Sequence, residues 1–231
     1  MYYSIIEPGG LCNQLNLLYT LYNKYDDIEK IYDPYFTSLV GNGYQLVDGK
    51  MGGSEYKYFN IESKVCDEKF YNNNIDKFTH LTDYISNGRN LNEVKFNDLR
   101  LKSYYNDIVL NILKKYEDYD LISVHIRNSD YKSFHNGLFF FNADDYMTAC
   151  YNKINDWKLD KYKTLIFSDE IQSIKDENVI LIYEQTNFES PIDLFLMSNC
   201  NYFIGTFSTF NIIANEMSRC NNKNKGNFFL K

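Results

Sequence analysis

Apolar residues fall in short runs separated by polar or glycine-rich breaks, and the runs alternate between two periods. Tyr2 to Ile6 is a short apolar run that predicts a buried strand. It ends at Pro8-Gly9-Gly10, after which Leu15, Leu18, Tyr19 and Tyr22 recur at helical spacing and predict a helix from Asn13 to Tyr25. Strand, glycine-rich turn and helix open a βαβ unit. From Ile28 to about Arg100 the pattern is interrupted by Gly41-Asn42-Gly43, Gly49, Gly52-Gly53 and Asn72-Asn73-Asn74. Short strands and loops are expected there, in an order the pattern leaves open.

The second half is more regular. A helix is expected from Tyr104 to Tyr116, with Ile108, Ile112 and Leu113 on one face, followed by an apolar strand from Leu121 to Ile126. Asp144-Asp145 opens a helix reaching Ile154, since acidic residues favour a helix N-terminus. Thr164 to Phe167 and Val179 to Tyr183 read as buried strands. Pro191 marks the first turn of a helix over Ile192 to Ser198. Tyr202 to Ile204 is another strand, and Ser208-Thr209 caps a final helix ending near Ser218. This alternation predicts an α/β fold with a parallel sheet covered on both faces.

At 231 residues and 27.4 kDa, the chain can build one large domain or two small ones. A net charge of −7 and a pI near 5.0 speak against a nucleic-acid partner, which would call for a basic surface. The short basic stretch at Arg219, Lys223 and Lys225 is expected to be a solvated tail. Five cysteines, Cys12, Cys66, Cys150, Cys200 and Cys220, form no CxxC pair. Cys150 and Cys200 lie in apolar runs and are expected to be buried thiols. The first residues carry no basic segment and no long apolar stretch, so no secretory signal is expected. No apolar run approaches the roughly 20 residues of a bilayer span. A cytoplasmic, soluble protein is the expectation.

Four segments carry candidate chemistry. Gly9-Gly10-Leu11-Cys12-Asn13-Gln14-Leu15 joins strand to helix, either as a tight turn or as a place where a ligand approaches the backbone. His125-Ile126-Arg127-Asn128-Ser129-Asp130-Tyr131 lies at the carboxyl end of a strand, the edge where open α/β sheets bind ligands. His125 and Arg127 alternate to one side and can offer donors to a base or diphosphate; the plainer reading is an Arg127–Asp130 surface ion pair. Asp193-Leu194-Phe195-Leu196-Met197-Ser198 precedes Gly205-Thr206-Phe207-Ser208-Thr209-Phe210, where hydroxyls and a helix N-terminus suit a phosphate. Ser208 as an N-cap is compatible with that role. Phe167-Ser168-Asp169-Glu170 places carboxylates at a strand end, where they either cap a helix or face a ligand.

The order GGLCNQL, HIRNSDY, FSDE, DLFLMSNC and GTFSTF resembles glycosyltransferase family 11, the α-1,2-fucosyltransferases, and the wider α-1,2/α-1,6/protein O-fucosyltransferase superfamily. The resemblance covers about Ile5 to Leu17 and Leu121 to Ser218, roughly half the chain. It implies a GT-B-like architecture of two Rossmann-like halves, the N-terminal one reduced: residues 1–118 on the acceptor side and 119–231 on the nucleotide-sugar side. It also implies inverting transfer of L-fucose from GDP-β-L-fucose to a sugar hydroxyl of a glycan, with an α-1,2 linkage and no metal or other cofactor. Arg127 matches the arginine that holds the donor diphosphate, and His125 the donor-site histidine. Asp193 matches an acid that contacts guanine. Thr206, Ser208 and Thr209 fall among the hydroxyls near the diphosphate, Asp169 in the donor-site FSDE segment, and Gly10 and Asn13 in the loop facing the donor.

The family motif often carries a second Arg and a Gly where this chain has Asn128 and Ser129, and Gly-Asn where Cys12-Asn13 stands. His135, ten residues after His125, is a candidate base, because a neutral imidazole accepts a proton near pH 7. Three alternatives stay open. One is a same-fold transferase using GDP-rhamnose or GDP-mannose; another is a catalytically silent carbohydrate- or nucleotide-binding protein. The third is a metal-dependent transferase using Asp118-Tyr119-Asp120 as a DxD motif, against which that segment precedes its strand and reads as the polar end of a helix.

Overall fold

The computed structural model describes residues 2–5, 15, 28–32, 46–47, 50–51, 66, 68–81, 99–128, 131–187 and 189–230. The chain divides into two compact units, Met1–Asn106 and Asp107–Lys231.

In the first unit, β1 (Tyr2–Ile5) pairs in parallel with β2 (Lys30–Tyr32) on one side and β5 (Phe78–Leu81) on the other. A small antiparallel pair, β3 (Leu46–Val47) and β4 (Lys50–Met51), and the short helix α1 (Glu68–Asn73) lie in sequence between them. Leu15 is helical and fully buried, as the spacing around it predicts. The Gly9-Gly10 turn, and with it Gly10 and Asn13, lies outside the described residues.

Helix α2 (Ser103–Lys114) leads into the second unit, which contains β6 (Asp120–Ile126), α3 (Ala143–Trp157), β7 (Tyr162–Ser168) and β8 (Val179–Leu181). Next come α4 (Tyr183–Thr186), α5 (Ser190–Ser198), β9 (Tyr202–Thr206), α6 (Thr209–Cys220) and β10 (Gly226–Leu230). The five strands are all parallel in the order β10-β9-β6-β7-β8. The chain therefore starts the sheet in its middle, winds outward through β7 and β8, and returns to the other side of β6 with β9. The direction of winding reverses between β6 and β9. That doubly wound order opens a crevice at the carboxyl ends of these two strands, because the connections leave them toward opposite faces.

Both faces are apolar. Ile122, Val124 and Ile126 of β6, with Ile204 and Ile166, pack against Tyr146, Met147, Cys150 and Ile154 of α3. On the opposite face, Phe203, Ile213 and Met217 are buried where α6 packs on β9, and α5 packs against α6 in turn. Helix α3 begins with a reciprocal cap: Asn142 Oδ1 accepts from the Asp145 N–H and Asp145 Oδ2 from the Asn142 N–H, both at 3.0 Å.

One expectation needs correction. The strand expected to reach Tyr183 stops at Leu181, and Tyr183 starts a short helix whose position is fixed by hydrogen bonds between its hydroxyl and the Gln172 backbone. An edge strand that the sequence pattern did not predict, Gly226–Leu230, follows Arg219, Lys223 and Lys225, which are exposed as expected. Its pairing with β9 runs from Gly226 opposite Tyr202 to Leu230 opposite Thr206, and Lys225 donates to Asp120 at 2.6 Å. Cys150 and Cys200 are fully buried, and burial pushes the Cys150 thiol up to about 12.

Candidate active site

The crevice at the β6–β9 switch point gathers most of the candidate residues of the second unit. His125, near the end of β6, lies opposite Gly205 of β9, and its ring stacks on Phe210 of α6 at 5.0 Å and 24°. Arg127 follows the strand by one residue. Its guanidinium lies 5.3 Å from the centre of the Tyr131 ring. The two side chains are thus held by different partners, one by the helix after β9 and one by its own loop.

The loop carrying Arg127 is fastened to the end of β7. Asp169 Oδ1 accepts from the Asn128 N–H at 2.9 Å, and Lys132 Nζ bonds both carboxylate oxygens of Glu170 at 2.9 Å. The first contact is partly buried and directional; the second is an exposed ion pair of the sort worth at most about 1 kcal/mol. Ser168 adds a bond from the Gln172 side-chain amide, which is buried with it.

Across the crevice, β9 ends at Thr206 and turns into α6. The Thr206 carbonyl accepts from the Ser208 N–H and from Asn211 Nδ2, each at 2.8 Å. Ser208 is the N-cap: its Oγ accepts from the Asn211 N–H at 3.3 Å. Thr209, half-buried, is the first residue of the helix. Among the described residues, Asn128 Oδ1, Thr206 Oγ1 and Tyr146 Oη are buried without a hydrogen-bond partner. All belong to the ends of β6 and β9 and the first turns of α3. The Tyr146 hydroxyl lies near Thr206 and the Arg127 backbone, which ease its ionisation without reaching hydrogen-bond geometry, and burial outweighs them and raises its pKa. An unmatched buried polar atom of this kind costs about 1–3 kcal/mol.

Asp193 sits in the first turn of α5. Thr186 Oγ1 donates to its Oδ1 at 2.7 Å. Burial pushes its carboxyl up to about 7, against the pull of the Thr186 bond and with a further push from Glu189. His135 lies in a 3-10 turn, Phe134–Gly137, of which only the backbone is described at that residue.

The DxD segment lies elsewhere. Helix α2 stops at Lys114, and Asp120 opens β6 at its amino end, opposite the crevice. Asp118 and Asp120 are paired with Lys161 and Lys225. Among the described residues no three His, Cys, Asp or Glu side chains are grouped so as to hold a metal ion, and no helix is long and apolar enough to cross a membrane. Tyr131, Tyr146, Thr186 and Asn211 were invisible as site residues in the sequence. Only Tyr131 sat inside a motif.

No protein-family model matches the chain, and no curated protein matches it. Solved structures do. A structure of POFUT1 in complex with GDP-fucose aligns at a TM-score of 0.62 and 12% identity, covering 99% of this chain and 97% of that one. Fucosyltransferase NodZ from Bradyrhizobium aligns at 0.55 and 12% identity, covering 92% and 91%. The chain shares its fold with these fucosyltransferases. POFUT1 in its apo-form gives 0.55 at 13% identity over 99% and 98%. In another crystal form of the POFUT1 complex the alignment spans 58% of this chain and only 48% of that one, at 0.40, too partial for a comparison of folds. At such identities the likeness is one of mixed α/β architecture with a parallel sheet.

Proposed function

We propose that the chain is an inverting, metal-independent glycosyltransferase that moves L-fucose from GDP-β-L-fucose to a sugar hydroxyl of a glycan, forming an α-1,2 linkage. The observation that carries this reading is the position of His125, Arg127, Thr206 and Ser208 at the β6–β9 switch point, with Asp169 bonding the Arg127 loop from the end of β7, in a fold shared with fucosyltransferases. The POFUT1 structure with that fold holds GDP-fucose, and a NodZ α-1,6-fucosyltransferase was soaked with it. The α-1,2 linkage rests on the motif resemblance alone.

In this reading the halves are those of a GT-B enzyme, with residues 119–231 binding the donor and residues 1–118 serving the acceptor side. The acceptor oxygen attacks the anomeric carbon from the face opposite GDP. The bond from that carbon to the β-phosphate oxygen breaks, and its electron pair leaves with GDP. The acceptor proton passes to a base, for which His135 is our candidate. Negative charge grows on the β-phosphate as the bond breaks. Arg127, the hydroxyls of Thr206, Ser208 and Thr209, and the N-terminus of α6 are arranged to stabilise it. Asp193 meets the guanine base.

The reading is tested by incubating the protein with GDP-fucose and galactose-terminated oligosaccharides in EDTA, and determining the product linkage by NMR. An α-1,2-fucosylated product supports the proposal in full. An α-1,6 product keeps the transferase and corrects the linkage. Transfer from GDP-mannose or GDP-rhamnose alone, or from no donor, overturns it.

A further inference from the structure

Arg127 is the cation on which the proposed function depends most. An arginine on a loop has several rotatable bonds, and a ligand that needs one conformation must bear the cost of selecting it. Here the selection is built into the chain. Tyr131, four positions after Arg127, is buried, and the guanidinium carbon lies 5.3 Å from its ring centre. The Tyr131 ring is backed in turn by Phe139, with ring centres 6.3 Å apart. The Asn128 carbonyl accepts from the Lys132 N–H at 3.2 Å. The Asn128 N–H is held by Asp169 through a partly buried bond, and Lys132 pairs with Glu170 at the surface. The residues flanking Arg127 and Tyr131 are thus tied to the end of β7, chiefly through Asn128.

We infer that Tyr131 is a positioning residue, whose ring face holds the Arg127 guanidinium in the conformation that receives the donor diphosphate. This rests on the donor-site reading above. An aromatic face attracts the cation through its quadrupole while leaving the planar guanidinium its edge N–H groups, which grip phosphate oxygens in pairs. The ring contact therefore orders the arginine without itself occupying an N–H donor. The hydroxyl plays no part in this contact, so the role belongs to the ring and survives its removal.

The test is calorimetry of GDP binding to the full chain and to Tyr131→Phe, Tyr131→Leu, Arg127→Ala and Arg127→Ala/Tyr131→Leu variants, with thermal unfolding of each. A cation–π contact of ordinary strength predicts that Tyr131→Leu weakens GDP binding about three- to tenfold and that Tyr131→Phe restores it to within about twofold. Because Tyr131 acts through Arg127, the double variant should bind as Arg127→Ala does. If Tyr131→Leu does not fold, Tyr131→Met, apolar and of comparable length, replaces it with the same expectation. Unaltered GDP affinity in the Leu or Met variant overturns the inference while leaving the donor site standing. So does an equal further loss in the Arg127→Ala background, which would mark a structural role. Failure of the unaltered protein to bind GDP overturns the donor-site reading, and the inference falls with it.

Discussion

A Cβ on Gly205 would lie 2.8 Å from Asn211 Cγ, inside the space the Asn211 side chain already fills. That side chain is buried and donates to the Thr206 carbonyl at 2.8 Å, so it cannot swing aside without losing its bond. Glycine at the end of β9 is therefore what lets α6 start close to the sheet, with Phe210 over His125. Gly205→Ala should cost about 1–3 kcal/mol in chemical unfolding, the range for a buried polar group stripped of its partner. In an Asn211→Ser background the same change should cost clearly less, because the clash is relieved. Equal costs in both backgrounds would show that the two residues are not coupled.

The N-cap offers a smaller effect with a defined source. Ser208→Ala removes the acceptor for the Asn211 N–H and should lower stability by about 1 kcal/mol. Ser208→Asp keeps a capping oxygen and should restore stability, yet its negative charge faces the proposed diphosphate and should weaken GDP binding. Urea unfolding and calorimetry on the same pair of variants separate the two consequences.

Asp193 gives a pH signature. Its carboxyl is pushed by burial from an ordinary 3.8 up to about 7, so the folded chain holds this proton more tightly than the unfolded chain does. The folded state then loses stability as pH rises from about 4 through 7. Asn in its place stays neutral and still accepts from Thr186. The stability of Asp193→Asn relative to the unaltered protein should therefore increase between pH 5 and pH 8. A difference that stays flat with pH over that window would contradict the assignment.

Asp169 tests the fastening of the Arg127 loop. Asp169→Asn keeps an oxygen able to accept from the Asn128 N–H, whereas Asp169→Ala leaves that partly buried donor unmatched. The Ala variant should bind GDP several-fold more weakly than the Asn variant. Indistinguishable affinities would show that the bond does not position the loop.

Much of the second unit was legible in the sequence because its central strands, β6, β7 and β9, are largely buried. Continuous apolar runs such as Leu121 to Ile126 and Tyr202 to Ile204 have few alternatives to a central parallel strand. Ser208 was legible as a cap because capping is local. Strand β10 was not, since Phe228-Phe229-Leu230 is short, follows a polar stretch and becomes a strand only by pairing with β9. The same holds for the site. His125, Arg127 and Thr206 lie in strand-end motifs, but Tyr146 joins them through the packing of α3, and Asn211 matters because Gly205 lies beneath it. Such relationships between distant residues leave no periodic trace in the chain.

The most direct measurement is calorimetry of GDP against UDP, GMP and ADP, with and without EDTA, on the unaltered protein and on Arg127→Ala. A donor site at the β6–β9 crevice predicts selective binding of GDP that is indifferent to EDTA and much weakened, though still measurable, in the variant. Equal binding of the four nucleotides, binding that requires a metal, or GDP affinity unchanged in Arg127→Ala would each contradict it.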